Sequence, residues 1–326
     1  MSLLVIVGIL GLIVLANSAA AASQPDLSRL LLALLAVLNL SVLGMAALLF
    51  TLPVLAPTPN DALFPGFTPQ LAQAFAGPLV GAFLWGLLAL WPVMRRFLAR
   101  FIPLNPDSPV HMMALVLAGY LAANTLVTLN QGGLAELAEG VDAASIGSLL
   151  LTGVAMVAAA LLGVGLGTRR TWAEVKERLG LRPLQAFHWR VILPWTALLL
   201  IMEIAISTLL NQFYPEQLAR LENVNIALLS DLDSIGEWLI LGLTSGVGEE
   251  ILFRGAIQPA FGLLPTALLF AVAHVQYDFP PLMIFIFLLG LVLGFIRQRY
   301  GTTAAILVHF SYNFVLGLLT LLAGAV

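Results

Sequence analysis

Long apolar runs separated by short polar segments dominate the chain. A helix needs about 20 residues to cross a bilayer, and ten runs approach or exceed that length. We predict spans at residues 3–22, 31–56, 72–94, 110–128, 146–168, 190–210, 235–254, 261–276, 281–297 and 303–325. The eighth run is short and is bounded by prolines. The pattern predicts an all-α, polytopic membrane helix bundle of about ten transmembrane helices.

The polar segments between the spans alternate in charge. The segments after spans one, three, five, seven and nine hold the basic residues Arg29, Arg95, Arg96, Arg100, Arg169, Arg170, Lys176, Arg178, Arg182, Arg190, Arg254, Arg297 and Arg299. The other segments hold only Arg220, among acidic residues. Because basic segments tend to stay in the cytoplasm, this alternation predicts that both termini lie outside. Within one basic segment, residues 169–189 read as a short amphipathic helix on the inner face.

Composition supports the membrane assignment and narrows the chemistry. Of the 326 residues, 60% are hydrophobic and only 10% are charged, whereas a soluble domain carries about a quarter charged residues. No basic patch of the kind that binds nucleic acid is present. The chain has no cysteine, which excludes disulfides, thiolate metal sites and cysteine nucleophiles.

The first apolar run and the spacing of glycines give further information on the membrane helices. The first apolar run is followed by small residues, as in a signal peptide, but it lacks the basic segment with which such peptides begin. We therefore favour an uncleaved first span. The glycine pairs Gly163/Gly167 and Gly290/Gly294 have the spacing of closely packed membrane helices. No internal repeat is evident, which disfavours an inverted-repeat transporter.

Polar side chains concentrate within the last four predicted helices. They form the i, i+4 pairs Glu250/Arg254, Phe270/His274 and His309/Asn313, with Glu249 beside the first pair. This spacing places the members of each pair on one helical face. A rise of about 1.5 Å per residue puts the glutamates and His309 roughly 8–9 Å below the cytoplasmic surface, and His274 at about 15 Å. Ionisable groups are costly in a membrane and indicate function. We therefore predict one shared cavity open to the cytoplasm, rather than a purely structural ion pair.

The same residues carry a family resemblance. "EEILFR" matches an E-E-x-x-x-R motif, "FAVAH" an F-x-x-x-H motif and "HFSYN" an H-x-x-x-N motif. In this order they resemble the CPBP intramembrane protease family, which includes type II CAAX prenyl endopeptidases and bacteriocin-processing or self-immunity proteins. The resemblance covers about residues 235–318. It implies a protease core over residues 109–326, preceded by a transmembrane extension of about three helices over residues 1–108.

The resemblance implies that a peptide bond is hydrolysed within the membrane. Glu249 resembles the glutamate that acts as general base on a water molecule. His274 would help to hold that water. Glu250 would pair with Arg254 and fix the helix.

The remaining motif residues are implied to serve the transition state and the pocket. His309 and Asn313 would donate hydrogen bonds to the tetrahedral oxyanion, and Phe270 would shape the pocket. Glu203, an isolated acid in the sixth predicted span, has an open role. The implied substrate is a peptide or protein in the membrane, either prenylated or carrying a leader peptide.

Several alternatives stay open at this stage. Glutamate and histidine also bind zinc, so the cofactor is either none or Zn²⁺ held by residues among Glu249, Glu250, His274 and His309. The same side chains could form the proton relay of a transporter. The chain could also be a non-catalytic membrane immunity or scaffold protein, which would tolerate the loss of Glu249.

Overall fold

A computed structural model describes residues 3–22, 25–55, 69–130, 145–183, 188–274 and 280–323. Their regular secondary structure is helical, without a named strand in these ranges. In chain order the α-helices are α1 (Leu3–Ala22), α2 (Pro25–Leu55), α3 (Pro69–Leu90), α4 (Pro92–Leu98), α5 (Pro109–Asn130), α6 (Ile146–Gly163), α7 (Trp172–Leu179), α8 (His188–Phe213), α9 (Pro215–Leu229), α10 (Ile235–Glu249), α11 (Gln258–Phe261), α12 (Leu263–Ala273), α13 (Pro280–Tyr300) and α14 (Thr302–Ala323). The predicted all-α class is confirmed.

Most of the predicted spans correspond to long apolar helices. Eight helices in the described residues are long and apolar enough to cross a bilayer, namely α1, α2, α3, α5, α6, α8, α13 and α14. The chain is therefore an integral multi-pass membrane protein. The other two predicted spans, the seventh and the eighth, also contain helices, but these depart from a regular transmembrane α-helix.

The third predicted span ends earlier than expected, at Leu90 instead of residue 94. Trp91 has an extended backbone and Pro92 starts the next helix, because the residue before a proline disfavours the helical conformation. The break frees carbonyl groups of α3. The buried side chain of Arg95 donates hydrogen bonds to two of them, at 2.9 Å from the oxygen of Ala89 and 2.7 Å from that of Leu90.

The seventh predicted span changes its winding at the first motif. The α-helical part, α10, ends at Glu249, and a π-helical segment over Glu250–Ile257 follows before α11. Pro259 has no N–H to donate to the carbonyl of Gly255, four residues earlier. That carbonyl instead accepts a hydrogen bond of 3.0 Å from Nη1 of Arg178 on α7. Segments of π-helix are rare and occur often at functional sites.

The eighth predicted span contains the short helix α12, of 11 residues. At about 1.5 Å per residue it is roughly 16 Å long, which is about half of a 30 Å hydrocarbon core. The hydroxyl of Thr125 on α5 donates a hydrogen bond of 2.6 Å to the carbonyl of Val272. This bond fixes the last turn of α12, immediately before His274.

The helices that carry the first and third motifs pack backbone against backbone. A Cβ atom added to Gly246 on α10 would lie 3.0 Å from the backbone nitrogen of Phe310 on α14. One added to Gly242 would lie 3.2 Å from the Phe310 ring. The small residues therefore allow α10 and α14 to approach closely.

Of the two glycine pairs singled out in the sequence, one packs as predicted. A Cβ on Gly290 would lie 3.3 Å from Cα of Ala267, so this face of α13 contacts α12 closely. The interpretation of Gly163/Gly167 is wrong, because α6 ends at Gly163 and neither glycine has another group within 4 Å of its Cβ position. Gly167 has a φ of +73°, so it serves the turn that follows the helix.

Two short helices complete the layout. The amphipathic helix predicted over 169–189 is present as α7, while residues 184–187 lie outside the described residues. Its buried side chains Val175 and Leu179 pack against Ile251 of the π segment. The helix α9 was not predicted, because its charged residues lie in what the sequence presents as an acidic loop.

The N-terminal helices contact the rest of the bundle through α5 and α6. Asn17 on α1 donates a hydrogen bond of 2.8 Å to the carbonyl of Leu162 on α6. Asn39 on α2 is buried, donates a hydrogen bond of 3.1 Å to the carbonyl of Phe83 on α3, and accepts one of 3.2 Å from the hydroxyl of Tyr120 on α5. The division into an extension over residues 1–108 and a core over residues 109–326 stays a prediction.

Candidate active site

Glu250 and Arg254 face each other inside the bundle. Their side chains are at most 1% exposed, and Nε of Arg254 lies 3.3 Å from Oε2 of Glu250. The contact predicted from the i, i+4 spacing is therefore present, although the intervening turn belongs to a π-helix. Burial of both charges makes each dependent on the other.

Glu250 also reaches the third motif. Its Oε1 lies 2.9 Å from Nδ1 of His309 on α14, and the His309 side chain is 5% exposed. An ionised carboxylate only accepts hydrogen bonds, so Nδ1 of His309 is the donor. One carboxylate therefore joins Arg254 to His309, a link that the sequence does not reveal.

Phe270 lies at the centre of the three motifs. The guanidinium of Arg254 is 4.3 Å from the centre of its ring, a geometry that stabilises a buried cation. The ring is also 4.3 Å from the His274 ring and 6.2 Å from the His309 ring, measured between centroids. Phe270 thus contacts a member of each motif, and its pocket role stays a prediction.

Glu249 faces the second motif. Its Oε2 lies 3.6 Å from Nε2 of His274, and the two side chains are 15% and 19% exposed. Nδ1 of His274 lies 2.7 Å from the carbonyl oxygen of Phe270. Because a carbonyl cannot donate, Nδ1 carries a hydrogen, and in a neutral ring Nε2 would then be an acceptor. Oε2 of Glu249 is buried and accepts no hydrogen bond from the described residues.

Asn313 is held one turn further along α14. Its Nδ2 donates a hydrogen bond of 2.7 Å to Oγ of Ser245 on α10. Ser245 in turn donates a bond of 2.8 Å to the carbonyl of Leu241. Ser245 lies one turn before Glu249, so the Ser245/Glu249 face of α10 meets the His309/Asn313 face of α14. The described residues provide an acceptor for only one of the two amide hydrogens of Asn313.

The sequence identified the motif residues but missed some of their partners. Ser245, which lies outside the three motifs, orients Asn313. Glu203 on α8, whose role was open, accepts a hydrogen bond of 2.7 Å from the hydroxyl of Tyr312. Tyr312 lies inside the "HFSYN" motif, which was the available signal for this contact.

The four candidate zinc ligands form two pairs instead of one set. Glu249 faces His274, while Glu250 is shared between His309 and Arg254. Among the described residues, no group of three or more histidine or acidic side chains is arranged to hold a metal ion. Structural and catalytic zinc sites use at least three protein ligands, so the side chains as placed do not fit that ion.

Comparison with known proteins agrees with the motif assignment. Residues 231–315, which are 85 of the 326 residues, match the family described as Type II CAAX prenyl endopeptidase Rce1-like. No curated protein matches the chain, and no solved structure does. The match includes all seven motif residues and supports a CAAX-protease-like intramembrane endopeptidase. The resemblance to the CPBP family of intramembrane proteases is therefore confirmed over the segment in which the motifs lie.

Proposed function

We propose that the protein is an intramembrane endopeptidase in which Glu249 activates the attacking water. The observation that carries this proposal is the pair formed by Glu249 and His274. A buried carboxylate oxygen that accepts no hydrogen bond from the described residues faces, at 3.6 Å, an imidazole nitrogen that would be an acceptor in a neutral ring.

Two acceptors at this separation can bind one water molecule together. Hydrogen bonds of about 2.8 Å from the water to each acceptor are compatible with the distance. The water would donate one hydrogen to Glu249 and the other to Nε2 of His274, which directs its lone pair towards the scissile carbonyl. During attack Glu249 takes the proton and then passes it to the leaving amine, so that acid and amine products result.

The third motif would stabilise the oxyanion that forms in this attack. The second amide hydrogen of Asn313 has no acceptor among the described residues and would donate to the oxyanion. His309 donates through Nδ1 to Glu250, and in its doubly protonated form it would donate through Nε2 to the oxyanion. Donors held in place before the reaction are most effective in a site that excludes water.

The substrate class follows from the surroundings of the site. The motif helices belong to an apolar bundle, so the scissile bond must come from a membrane-associated or lipidated peptide or protein. The alternation of basic segments supports a site that opens towards the cytoplasm, with both termini outside.

The proposal is tested by comparing membrane proteins from cells that make the wild type or Glu249→Gln. Mass spectrometry of protein termini should find cleavage products that need the wild type. Arg220→Gln, at an exposed position on α9, serves as the control and should give the wild-type products. Identical termini with the wild type and Glu249→Gln would reject a protease that depends on this glutamate.

A further inference from the structure

A group of arginines lies beside the end of the π segment. Its members, here called the arginine cluster, come from the α6–α7 turn, α7, the segment after α7 and the end of α13: Arg169, Arg170, Arg178, Arg182 and Arg297. None of them belongs to an ion pair within the described residues, where the ion pairs involve other side chains. A concentration of positive charge that forms no ion pair with a carboxylate among the described residues favours an external anion.

The members of the cluster are close enough to affect one another. Burial, together with the charges of Arg170, Arg297 and Arg169, lowers the pKa of Arg178 to about 10. Arg182 interacts electrostatically with Arg297. Two acids lie on α7 beside the cluster. Glu174 is hydrogen-bonded to Thr171 in the capping box that starts this helix and also interacts electrostatically with Arg170. Glu177 is exposed and forms no ion pair among the described residues.

Most of the hydrogen-bond donors in the cluster remain available. Arg169 uses Nε to donate to Asn17, and Arg170 uses Nη1 to donate to the carbonyl of Val164. Arg178 donates to the carbonyls of Gly255 and Ala256. Nε of Arg297 is buried and donates to no described group. Each guanidinium has five N–H donors, so these few bonds leave a surface rich in donors.

The cluster lies where several spans end. The helix α6 ends at Gly163, α13 ends at Tyr300 and α14 begins at Thr302. Trp172 on α7 is 52% exposed, and its ring lies 6.0 Å from Nζ of Lys176. Exposed tryptophan and basic side chains at span ends are typical of the level of lipid headgroups.

We propose that the arginine cluster binds the phosphate groups of anionic phospholipids in the leaflet at this end of the bundle. Guanidinium groups match phosphate oxygens in two-point contacts, and basic groups next to membrane spans attract anionic lipids. Bound lipid would hold α7 against the π segment, because Arg178 belongs both to the cluster and to that contact. The proposal does not depend on peptide cleavage.

The test measures the melting temperature of the full-length protein in detergent during titration with phosphatidylglycerol or phosphatidylcholine. Phosphatidylglycerol should raise the melting temperature, and phosphatidylcholine should not. Arg182→Gln removes an exposed side chain that makes no hydrogen bond among the described residues. It should raise the lipid concentration at the half-maximal shift about fivefold, as expected for the loss of one basic residue near a charged membrane. Arg220→Gln is the matched control and should titrate like the wild type.

Other outcomes would overturn the proposal. Equal shifts with the two lipids, or equal titrations of Arg182→Gln and Arg220→Gln, would show that the cluster does not select anionic lipid. An equal shift with inorganic phosphate would assign the cluster to a free anion. Arg297→Gln provides a second variant at a buried donor. If it fails to fold, the titrations of Arg182→Gln and the wild type still show whether the cluster selects anionic lipid.

Discussion

The carboxylate of Glu250 and the imidazole of His309 lie 2.9 Å apart, although 59 residues separate them in the chain. The same carboxylate lies 3.3 Å from Nε of Arg254. Glu250 therefore connects the π segment to α14 as well as holding the arginine predicted to be its partner. It acts as a junction between two motif helices.

We expect Glu250→Gln and Arg254→Ala each to lower the stability of the protein. Breaking a buried pair leaves one charge without compensation and typically costs about 3–5 kcal/mol. The double variant should lose much less than the sum of the two single losses. Reversible unfolding in mixed detergent measures these energies. Additive losses, or loss of activity at Glu250 without loss of stability, would reverse the roles assigned to the two glutamates.

Glu249→Gln should abolish cleavage with little change in melting temperature. The amide keeps the shape of the carboxylate but cannot take a proton from water. Oε2 of Glu249 accepts no hydrogen bond from the described residues, so little of the fold depends on the charge. Turnover of a substrate found by terminus analysis and the melting temperature are measured on the same preparations. Normal turnover in this variant would rule out Glu249 as the base.

Asn313→Ala should leave the protein folded and reduce kcat by about 10²–10³, as is typical for the loss of one oxyanion donor. Ser245→Ala is the matched variant, because it removes the partner of Asn313 and keeps the amide itself. Its loss of kcat should be smaller. If Asn313→Ala raised KM while bound substrate turned over normally, Asn313 would instead be a substrate-binding residue.

Dialysis against a strong chelator should leave the activity of the wild type unchanged. The reason is that Glu249 with His274 and Glu250 with His309 form separate pairs. Activity is measured before dialysis, after dialysis and after addition of Zn²⁺. Activity that disappears and returns only with zinc would make these side chains metal ligands and the proposed mechanism wrong.

The predicted orientation can be measured directly, because the chain has no cysteine. Ser230→Cys should react with a membrane-impermeant maleimide on intact cells, and Glu177→Cys only after permeabilisation. Both positions are exposed. The wild type supplies a background without labelling. Equal labelling of the two variants on intact cells would contradict the alternation of basic segments as a guide to sidedness.

The motif residues could be found from the sequence because membrane helices make polar side chains conspicuous. Spacing then assigned Glu250 to Arg254 correctly, since both lie on one chain segment. Contacts between helices were not predictable in this way. The estimated depths separated His274 from Glu249 by several ångströms, whereas the structure places their side-chain atoms 3.6 Å apart. Depth along separate helices does not include tilt or packing.

The π segment and the turn at Gly167 show a second limit of prediction from sequence patterns. Pro259 lacks the N–H that the carbonyl of Gly255 would accept in an α-helix, and Arg178 on α7, 77 residues before Gly255, donates to that carbonyl instead. Such tertiary contacts leave no periodic signal. The spacing of Gly163 and Gly167 is the same whether the helix continues or ends between them, so it could not distinguish a packing face from a turn.

The close contact between Gly246 and Phe310 means that the positions of the motif residues on α14 depend on a glycine, which has no side chain of its own. Even a single methyl group on Gly246 would lie 3.0 Å from the Phe310 nitrogen and would push α14 away. His309 precedes Phe310 and Asn313 follows it closely, so both would move with the helix. Random mutagenesis should therefore find inactivating substitutions at the glycines of α10, in variants that keep every ionisable side chain.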